Sequence, residues 1–214
     1  MICSLAYVAF ALSCLVRWGT ADPLSTFNVF SDGYFGLRIL GSLHSLISSR
    51  HAFDSQHVRQ EWWAASSSPG WSKWVTLLML ADLMTFLDYA HWHLVTALER
   101  PILQWLGMGV YVGVVLWQMW TDTYLAKHFA CPQRLPMETG PYRYMRHPRY
   151  AAAIVGKIAV ALVFASVLGW LLVLAWAVLL FRKMSVEEVH LRRLFGEKYV
   201  TYAQRTARLL PGIY

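Results

Sequence analysis

Long apolar runs separated by short polar segments predict a chain built from membrane-spanning helices. The clearest of these runs cover residues 74–98 and 102–121. The second would form a helix of about 30 Å at 1.5 Å per residue, which matches the hydrocarbon thickness of a bilayer. The charged sequence "LERP" at 98–101 separates them. We therefore expect residues 74–121 to form a helical hairpin.

Two weaker apolar runs precede this hairpin. Residues 1–16 have no basic segment before the apolar stretch and no clear cleavage site, so they are predicted to be a retained helix rather than a signal peptide. Residues 33–49 form a shorter run that contains Arg38 and His44. Residues 50–73 are polar and rich in Trp, and "SSSPG" within them is typical of a loop.

The most informative run covers residues 151–181, where Lys157 is the only charged residue. One straight helix of this length would reach about 46 Å, which exceeds a bilayer core of about 30 Å. Both flanks of the run are basic, and segments rich in Lys and Arg stay on the cytoplasmic side. A single crossing cannot place both flanks there, so two helices with a turn near 165–170 are predicted. Residues 140–150 and 182–208 should then meet at one cytoplasmic face.

Composition agrees with an integral membrane domain. Of the 214 residues, 57% are hydrophobic and 14% are charged, whereas soluble domains carry about 25% charged residues. Eleven Trp and eleven Tyr suit a protein with wide membrane–water interfaces. The three Cys are widely spaced and predict neither a disulfide framework nor a metal site. We expect an all-α, multi-pass helical bundle with about five transmembrane helices, a C-terminal cofactor-binding hairpin and a cytoplasmic amphipathic segment.

Charge is distributed unevenly between the two halves. Residues 1–100 hold six Lys/Arg and seven Asp/Glu, whereas residues 101–214 hold thirteen and five. The basic residues alternate with apolar runs and form no free basic tail, so nucleic acid is not an expected partner. Membrane topology explains their placement. The localisation expected is a bacterial inner membrane or the endoplasmic reticulum, with the candidate catalytic face in the cytoplasm.

The two basic flanks carry chemistry that fits one ligand. "GPYRYMRHPRYAA" at 140–152 combines Arg, His and Tyr, and the second flank contains Glu187 and Glu188. Paired carboxylates at a membrane boundary are costly without a partner, so they would pair with Arg146 or with a ligand cation. Tyr rings suit an onium charge, and Arg suits a carboxylate. S-adenosylmethionine offers an adenine, a sulfonium, an ammonium and a carboxylate, although a dinucleotide would also use Arg and Tyr.

At these residues the sequence also resembles a known family. "GPYRYMRHPRY", followed by a hairpin and then by "EEVHLRRLFGEKYVTYAQRTARLLPG", is similar to the isoprenylcysteine carboxyl methyltransferase family and its bacterial relatives. The resemblance covers roughly residues 102–213. It implies an integral membrane methyltransferase in which residues 101–214 form the catalytic region and enclose S-adenosylmethionine. Residues 1–100 would then contribute to the access route of a lipidic acceptor from the bilayer.

The resemblance also implies roles for individual residues. The motifs that match are "RHPRY", the paired acids, "FGEKYVTY" and a late Arg. The cofactor-binding positions would be Tyr142, His147, Pro148, Tyr150, Glu187, Tyr199 and Tyr202. The positions at the substrate and reaction centre would be Arg146, Glu188 and Arg205.

Two departures from the family pattern bear on the function. Ala152 stands where the family usually has Gly, and "CPQRLPMETGPY" lacks the His that often precedes Gly-Pro-Tyr. The acceptor could therefore be a phospholipid amine or a small thiol instead of an isoprenylcysteine-like carboxylate. An NADPH-dependent sterol-type reductase and a non-catalytic membrane module are the other hypotheses. The Glu pair speaks against the reductase, because acids repel a 2′-phosphate.

Each candidate also has a structural interpretation. The basic residues could act only as topology determinants, the Glu pair could be a solvated helix face, and the tyrosines could form an interfacial belt. Four ionisable residues within or beside the 74–98 run are not assigned to the site, since a structural pair explains them equally well: Asp82, Asp88, His91 and His93. "GMG" at 107–109 is expected to be a small-residue packing face.

Overall fold

Helices make up the regular structure in the part of the chain described here. The computed structural model describes residues 26–52, 80–92, 94, 100–129 and 139–209. In order along the chain, the α-helices are α1 (Thr26–Ala52), α2 (residues 80–87), α3 (Pro101–Phe129), α4 (Pro148–Val163), α5 (Val167–Phe195) and α6 (Glu197–Arg205). A π-helical turn, Asp88–Trp92, continues α2, and a 3-10 turn, Gly140–Arg143, precedes α4. The predicted all-α class is confirmed over these residues.

Among the described residues, two helical segments are long and apolar enough to cross a membrane. They are Pro101–Lys127 in α3 and Val167–Arg193 in α5. Both helices expose large apolar side chains on their outer surfaces, as helices in contact with lipid do. Five spans stay a prediction, because residues 1–16 and much of 50–73 and 74–98 lie outside the described residues.

Two predicted apolar runs each lie within one helix. The 102–121 run lies within α3, and the 33–49 run lies within α1. The described part of the 74–98 run consists of α2 and its π-helical turn. The segment that would link this run to α3 lies largely outside the described residues, so the proposed 74–121 hairpin stays a prediction.

The long 151–181 run folds into two helices, as predicted. α4 ends at Val163 and α5 begins at Val167, so the turn lies at the edge of the predicted 165–170 segment. Ser166 caps α5 by accepting a hydrogen bond from the Gly169 amide at 2.9 Å, which satisfies one of the free donors of the first turn. Both helices extend beyond the apolar run into its flanks. The start of α4 thereby comes to lie beside the last turns of α5.

An aromatic core joins α1, α2, α3 and the α4–α5 turn. The rings of Tyr34, Phe86 and Phe164 are almost completely buried, and the centroids of Phe86 and Phe164 lie 4.5 Å apart in an edge-to-face arrangement. Gly107 of α3 lies so close to α4 that an added Cβ would come within 2.9 Å of the Val163 backbone nitrogen. This close approach supports the predicted packing role of "GMG" at Gly107, whereas Gly109 has open space at its Cβ position.

The segment after α6 returns to the start of α4. The Arg146 amide donates to the Ala207 carbonyl at 2.8 Å, and the His147 amide donates to the Arg208 carbonyl at 3.2 Å. Beneath these bonds, the buried side chains of Met145, Met184 and Leu209 pack together. The backbone therefore fixes the three regions that carry the predicted site residues against one another.

Candidate active site

Most of the predicted site residues meet where the start of α4, the end of α5 and the segment around α6 converge. The predicted convergence of residues 140–150 with 182–208 is confirmed by side-chain and backbone bonds between them. Pro148 occupies the first position of α4 and is buried. A proline there starts the helix without losing a backbone hydrogen bond. It thereby fixes the start of the helix, and with it the directions of the His147 and Tyr150 side chains.

Glu188 is the centre of one group of charged side chains, which we call the Glu188 cluster: Arg146, His147, Glu188 and Arg208. One carboxylate oxygen, Oε1, lies 3.3 Å from Arg146 Nη1, 3.2 Å from His147 Nε2 and 3.4 Å from Arg208 Nε. Glu188 is buried, with only 7% of its surface exposed. An ionised carboxylate can only accept hydrogen bonds, so His147 presents Nε2–H to it. The carboxylate therefore holds three side chains in place at once.

A second group surrounds the neighbouring acid, and we call it the Glu187 cluster: Tyr150, Lys183 and Glu187. The Tyr150 hydroxyl donates a hydrogen bond to Glu187 Oε1. The Lys183 ammonium lies 3.8 Å from the same oxygen and 5.7 Å from the centre of the Tyr150 ring, within the range of a cation–π contact. The two adjacent acids thus face different partners, one mainly Arg and His, the other Tyr and Lys.

Three of the predicted tyrosines form an aromatic wall between the 3-10 turn and α6. The Tyr202 hydroxyl donates to the Tyr142 carbonyl at 2.7 Å, and the Tyr199 ring lies 6.0 Å from the Tyr202 ring. Burial raises the pKa of Tyr199 to about 12 and raises the pKa values of Tyr142 and Tyr202. These phenols therefore stay neutral at physiological pH and present aromatic faces and hydroxyl donors.

Arg205 is the one predicted site residue that the structure places apart from the others. Its side chain is exposed at the last position of α6. Arg208, three residues further on, reaches the Glu188 cluster and also donates to Ser185 Oγ at 2.7 Å. α6 ends at Arg205, and the following residues run alongside residues 145–147. The change in direction turns the later arginine, not the earlier one, toward the site.

Sequence reasoning missed a supporting ion pair. Asp122 of α3 is buried, and its Oδ1 lies 3.0 Å from Arg149 Nε in α4. The pair fastens the start of α4 to α3, one residue before Tyr150. A signal was present in the sequence, because an acid near the end of an apolar run is costly and demands a partner.

Arg146 Nε and the Tyr199 hydroxyl are buried in the site, and neither meets a hydrogen-bond acceptor of good geometry among the described residues. Buried donors are rarely left unsatisfied in native proteins. Their position beside the Glu188 cluster suits a carboxylate or hydroxyl acceptor on a ligand. With the tyrosine faces and the two acids, these residues can complement a ligand that has an aromatic ring, a cation and an anion.

Comparison with known proteins identifies relatives of this chain. Residues 101–198 match a family described as phospholipid methyltransferase. The chain is 30% identical over 78 residues to protein-S-isoprenylcysteine O-methyltransferase B of Arabidopsis thaliana, which covers 35% of this chain and 38% of the relative. It is 25% identical over 148 residues to protein-S-isoprenylcysteine O-methyltransferase of Dictyostelium discoideum, which covers 63% of this chain and 61% of the relative. No solved structure matches the chain.

These matches confirm the predicted resemblance to the isoprenylcysteine carboxyl methyltransferase family. The family match contains α3, the α4–α5 hairpin and the start of α6, and therefore includes Arg146, Glu188 and most of their partners. The matched regions span between about two fifths and three fifths of the curated relatives. The chain is thus related to methyltransferases through the region that carries the candidate site.

Proposed function

We propose that the protein is a membrane methyltransferase that uses S-adenosylmethionine and acts on a hydrophobic acceptor. The observation that carries this proposal is the Glu188 cluster. Among the described side chains of the cluster, two arginines and one glutamate leave an excess of one positive charge beside the buried Arg146 Nε and Tyr199 hydroxyl. An excess cation in a buried site favours a ligand with a negative group. The relationship to known methyltransferases supplies the reaction class.

The site residues suit S-adenosylmethionine on chemical grounds. The Glu187 carboxylate matches the ammonium group of the cofactor, and the Tyr150 ring matches a nearby onium charge. Tyr142, Tyr199 and Tyr202 provide neutral faces for the adenine ring. His147 and Pro148 hold the backbone at the start of α4, so we assign them to the cofactor side as well. S-adenosylmethionine supplies a methyl group that its sulfonium already activates.

The protein side of the reaction is mainly alignment. Arg146 and Arg208 hold the anionic group of the acceptor, and Glu188 keeps both guanidinium groups in a fixed orientation. A carboxylate acceptor is already a nucleophile, so no general base is needed for the transfer step. Packing of the reactants in line, with water excluded, supplies most of the acceleration. Here Arg208 takes the role that the sequence resemblance assigned to Arg205.

An isoprenylcysteine-like carboxylate is the acceptor that we favour. The named relatives are isoprenylcysteine methyltransferases, and the charge excess of the Glu188 cluster suits a carboxylate. A phospholipid amine is the second candidate, because the matching family is described as phospholipid methyltransferase. The two arginines work against a cationic amine, which would have to enter in its neutral form. Acceptor assays with both classes decide between them.

The first experiment measures binding of S-adenosylhomocysteine and of NADPH to the detergent-purified protein by calorimetry. We expect S-adenosylhomocysteine to bind and NADPH not to bind. Glu187→Gln should weaken binding by roughly tenfold or more, because a charge-assisted bond is lost. Arg182→Gln removes an exposed charge of α5 and serves as the control. Binding of NADPH alone would replace this proposal with a reductase, and binding of neither would leave a non-catalytic membrane module.

A further inference from the structure

A second charged group lies inside the helix bundle, away from the candidate active site. We call it the Asp82 cluster: Tyr34, Arg38, Asp82 and Lys157. Both carboxylate oxygens of Asp82, in α2, have partners in this cluster. Oδ1 accepts from Lys157 of α4, while Oδ2 lies 3.2 Å from Arg38 Nη1 and 3.4 Å from the Tyr34 hydroxyl. Arg38 Nη1 also lies 2.6 Å from the Tyr34 hydroxyl.

Among the residues that the structure describes, the charges of the Asp82 cluster do not cancel. Arg38 and Lys157 are both cationic side chains, and Asp82 supplies one negative charge to the two of them. Asp88, the other buried acid of this region, lies six residues further along the chain, about 9 Å by helical rise. It accepts hydrogen bonds from Ser166 Oγ and the Leu94 amide. The local excess of one positive charge is costly in an apolar interior unless an anion joins it.

The cluster is also distant from the proposed reaction centre. Lys157 lies ten residues after His147 in the direction of α4, which corresponds to about 15 Å. The cluster joins α1, α2 and α4, and Tyr111 of α3 lies beside it, with its ring centroid 5.0 Å from that of Tyr34. The proposed cofactor site does not use any residue of this group. A ligand bound here would therefore occupy separate space within the bundle.

Access to the cluster differs among its charged members. The side chain of Arg38 is 27% exposed, whereas those of Asp82 and Lys157 are 8% and 11% exposed. Arg38 lies near the middle of α1, on the same helix face as the buried rings of Tyr34 and Phe35 one turn before it. A group that reached the cluster would meet Arg38 first and would lie against these apolar rings. This combination of polar centre and apolar surround fits an amphiphile.

We infer that the Asp82 cluster binds the anionic head group of a membrane amphiphile, a carboxylate or a phosphodiester. Arg38 offers a guanidinium that pairs well with either oxyanion, and Lys157 adds a second donor. The bound anion neutralises the cluster. The site is separate from the proposed methyl transfer and does not depend on that proposal.

The test uses four amphiphiles in matched pairs. Protein purified in an uncharged detergent is mixed with phosphatidylglycerol or its neutral counterpart diacylglycerol, and with oleate or its neutral counterpart oleyl alcohol. Native mass spectrometry then measures the fraction of protein that retains each molecule. We expect retention of one anionic amphiphile and no retention of the neutral ones. Retention of phosphatidylglycerol alone identifies a phospholipid site, and retention of oleate alone identifies a site for a lipidic carboxylate.

Two variants link retention to the cluster. Lys157→Met should reduce retention by about tenfold or more, because one charge-assisted contact is lost. It leaves Arg38 and Asp82 as a neutral pair, so its unfolding midpoint without added amphiphile should not fall below that of the wild type. Arg182→Met, at an exposed position of α5, should retain the wild-type amount. Arg38→Gln replaces Lys157→Met if the latter does not fold.

Two results would overturn the inference. One is equal retention of the anionic and neutral amphiphiles by the wild type, which would show an apolar site without charge recognition. The other is unchanged retention in Lys157→Met or Arg38→Gln, which would place the anion elsewhere on the protein. Binding of S-adenosylhomocysteine, measured in parallel, tests the candidate active site independently of either result.

Discussion

Arg205 and Arg208 offer a direct test of the reaction centre at the scale of single residues. Both are arginines at the end of the chain segment that closes the site, yet only Arg208 contacts Glu188. We expect Arg208→Ala to lower kcat/KM by about tenfold to a hundredfold, because a charged hydrogen bond to the acceptor is lost. Arg205→Ala should stay within about twofold of the wild type, since an exposed side chain contributes little. Steady-state methylation assays check both values.

The comparison between these two arginines also controls for charge. Each variant removes one positive charge within three residues of the other. A larger loss in Arg205→Ala than in Arg208→Ala would return the catalytic role to Arg205. It would also remove the Glu188 cluster as the basis for acceptor orientation.

For Lys183 we expect that removing the charge strengthens ligand binding, whereas removing the charge of Arg208 lowers activity. Its ammonium lies near Glu187 and over the Tyr150 ring, the same pair of groups that we assign to the onium end of the cofactor. A bound cofactor must therefore displace or share this contact. We expect Lys183→Met to bind S-adenosylhomocysteine several-fold more tightly than the wild type. Lys183→Arg keeps the positive charge and should not show this gain.

Isothermal titration calorimetry at two salt concentrations measures this effect. Because salt screens a charged competitor in a partly open site, the advantage of Lys183→Met should shrink as the salt concentration rises. Weaker binding by Lys183→Met would instead mean that Lys183 positions Glu187 for the ligand. Tighter binding and weaker binding change the Kd in opposite directions, so a Kd measured with modest precision distinguishes the two outcomes.

At the scale of helices, the packing of α3 against α4 includes a close backbone approach at Gly107. An added Cβ at Gly107 would lie 2.9 Å from the Val163 nitrogen and 3.0 Å from the Ala159 oxygen, whereas Gly109 has no heavy atom within 4 Å of that point. Gly107→Ala should destabilise the protein by roughly 1–3 kcal/mol, because backbone atoms must move apart. Gly109→Ala should be neutral or stabilising by up to about 1 kcal/mol, since alanine favours the helix.

Chemical unfolding in detergent, followed by circular dichroism, compares the two glycine variants. They differ by the same methyl group, two residues apart on one helix. Equal stability of both variants would contradict the close packing of α3 against α4. A selective loss in Gly107→Ala would also predict weaker activity, because α4 carries Tyr150 and the segment just before it carries Arg146 and His147.

The elements show what sequence alone could and could not predict. The α4–α5 hairpin was predictable because basic residues flank an apolar run that is too long for one crossing. The pairing of Asp82 with Lys157 was not, since these residues lie 75 positions apart and no local pattern links them. The choice between Arg205 and Arg208 depended on where α6 ends and on the backbone pairing that follows. Such long-range contacts arise only when the helices pack.

At the scale of the whole molecule, the charge asymmetry and the hairpin together predict an orientation in the membrane. Arg143 and Lys198 lie on the two flanks that meet at the candidate site, and both are exposed. Arg100 is exposed just before the first residue of α3, so an α3 that spans the membrane would place one crossing between Arg100 and Arg143. By the positive-inside rule, the first two residues should face the cytoplasm and Arg100 the other side. The proposed multi-pass topology requires this arrangement.

Cysteine labelling tests this orientation in sealed membrane vesicles. The three native cysteines, Cys3, Cys14 and Cys131, are first replaced by Ser, and one cysteine is then introduced at position 100, 143 or 198. We expect a membrane-impermeant maleimide to label Arg143→Cys and Lys198→Cys only when the cytoplasmic side is accessible. Arg100→Cys should react only from the opposite side.

If positions 143 and 198 react from different sides, then α4 and α5 do not form a helical hairpin that returns to the same side of the membrane. The two flanks then cannot build one site. If all three react from one side, α3 does not cross the membrane, and an acceptor from the bilayer would have to reach the Glu188 cluster along the membrane surface.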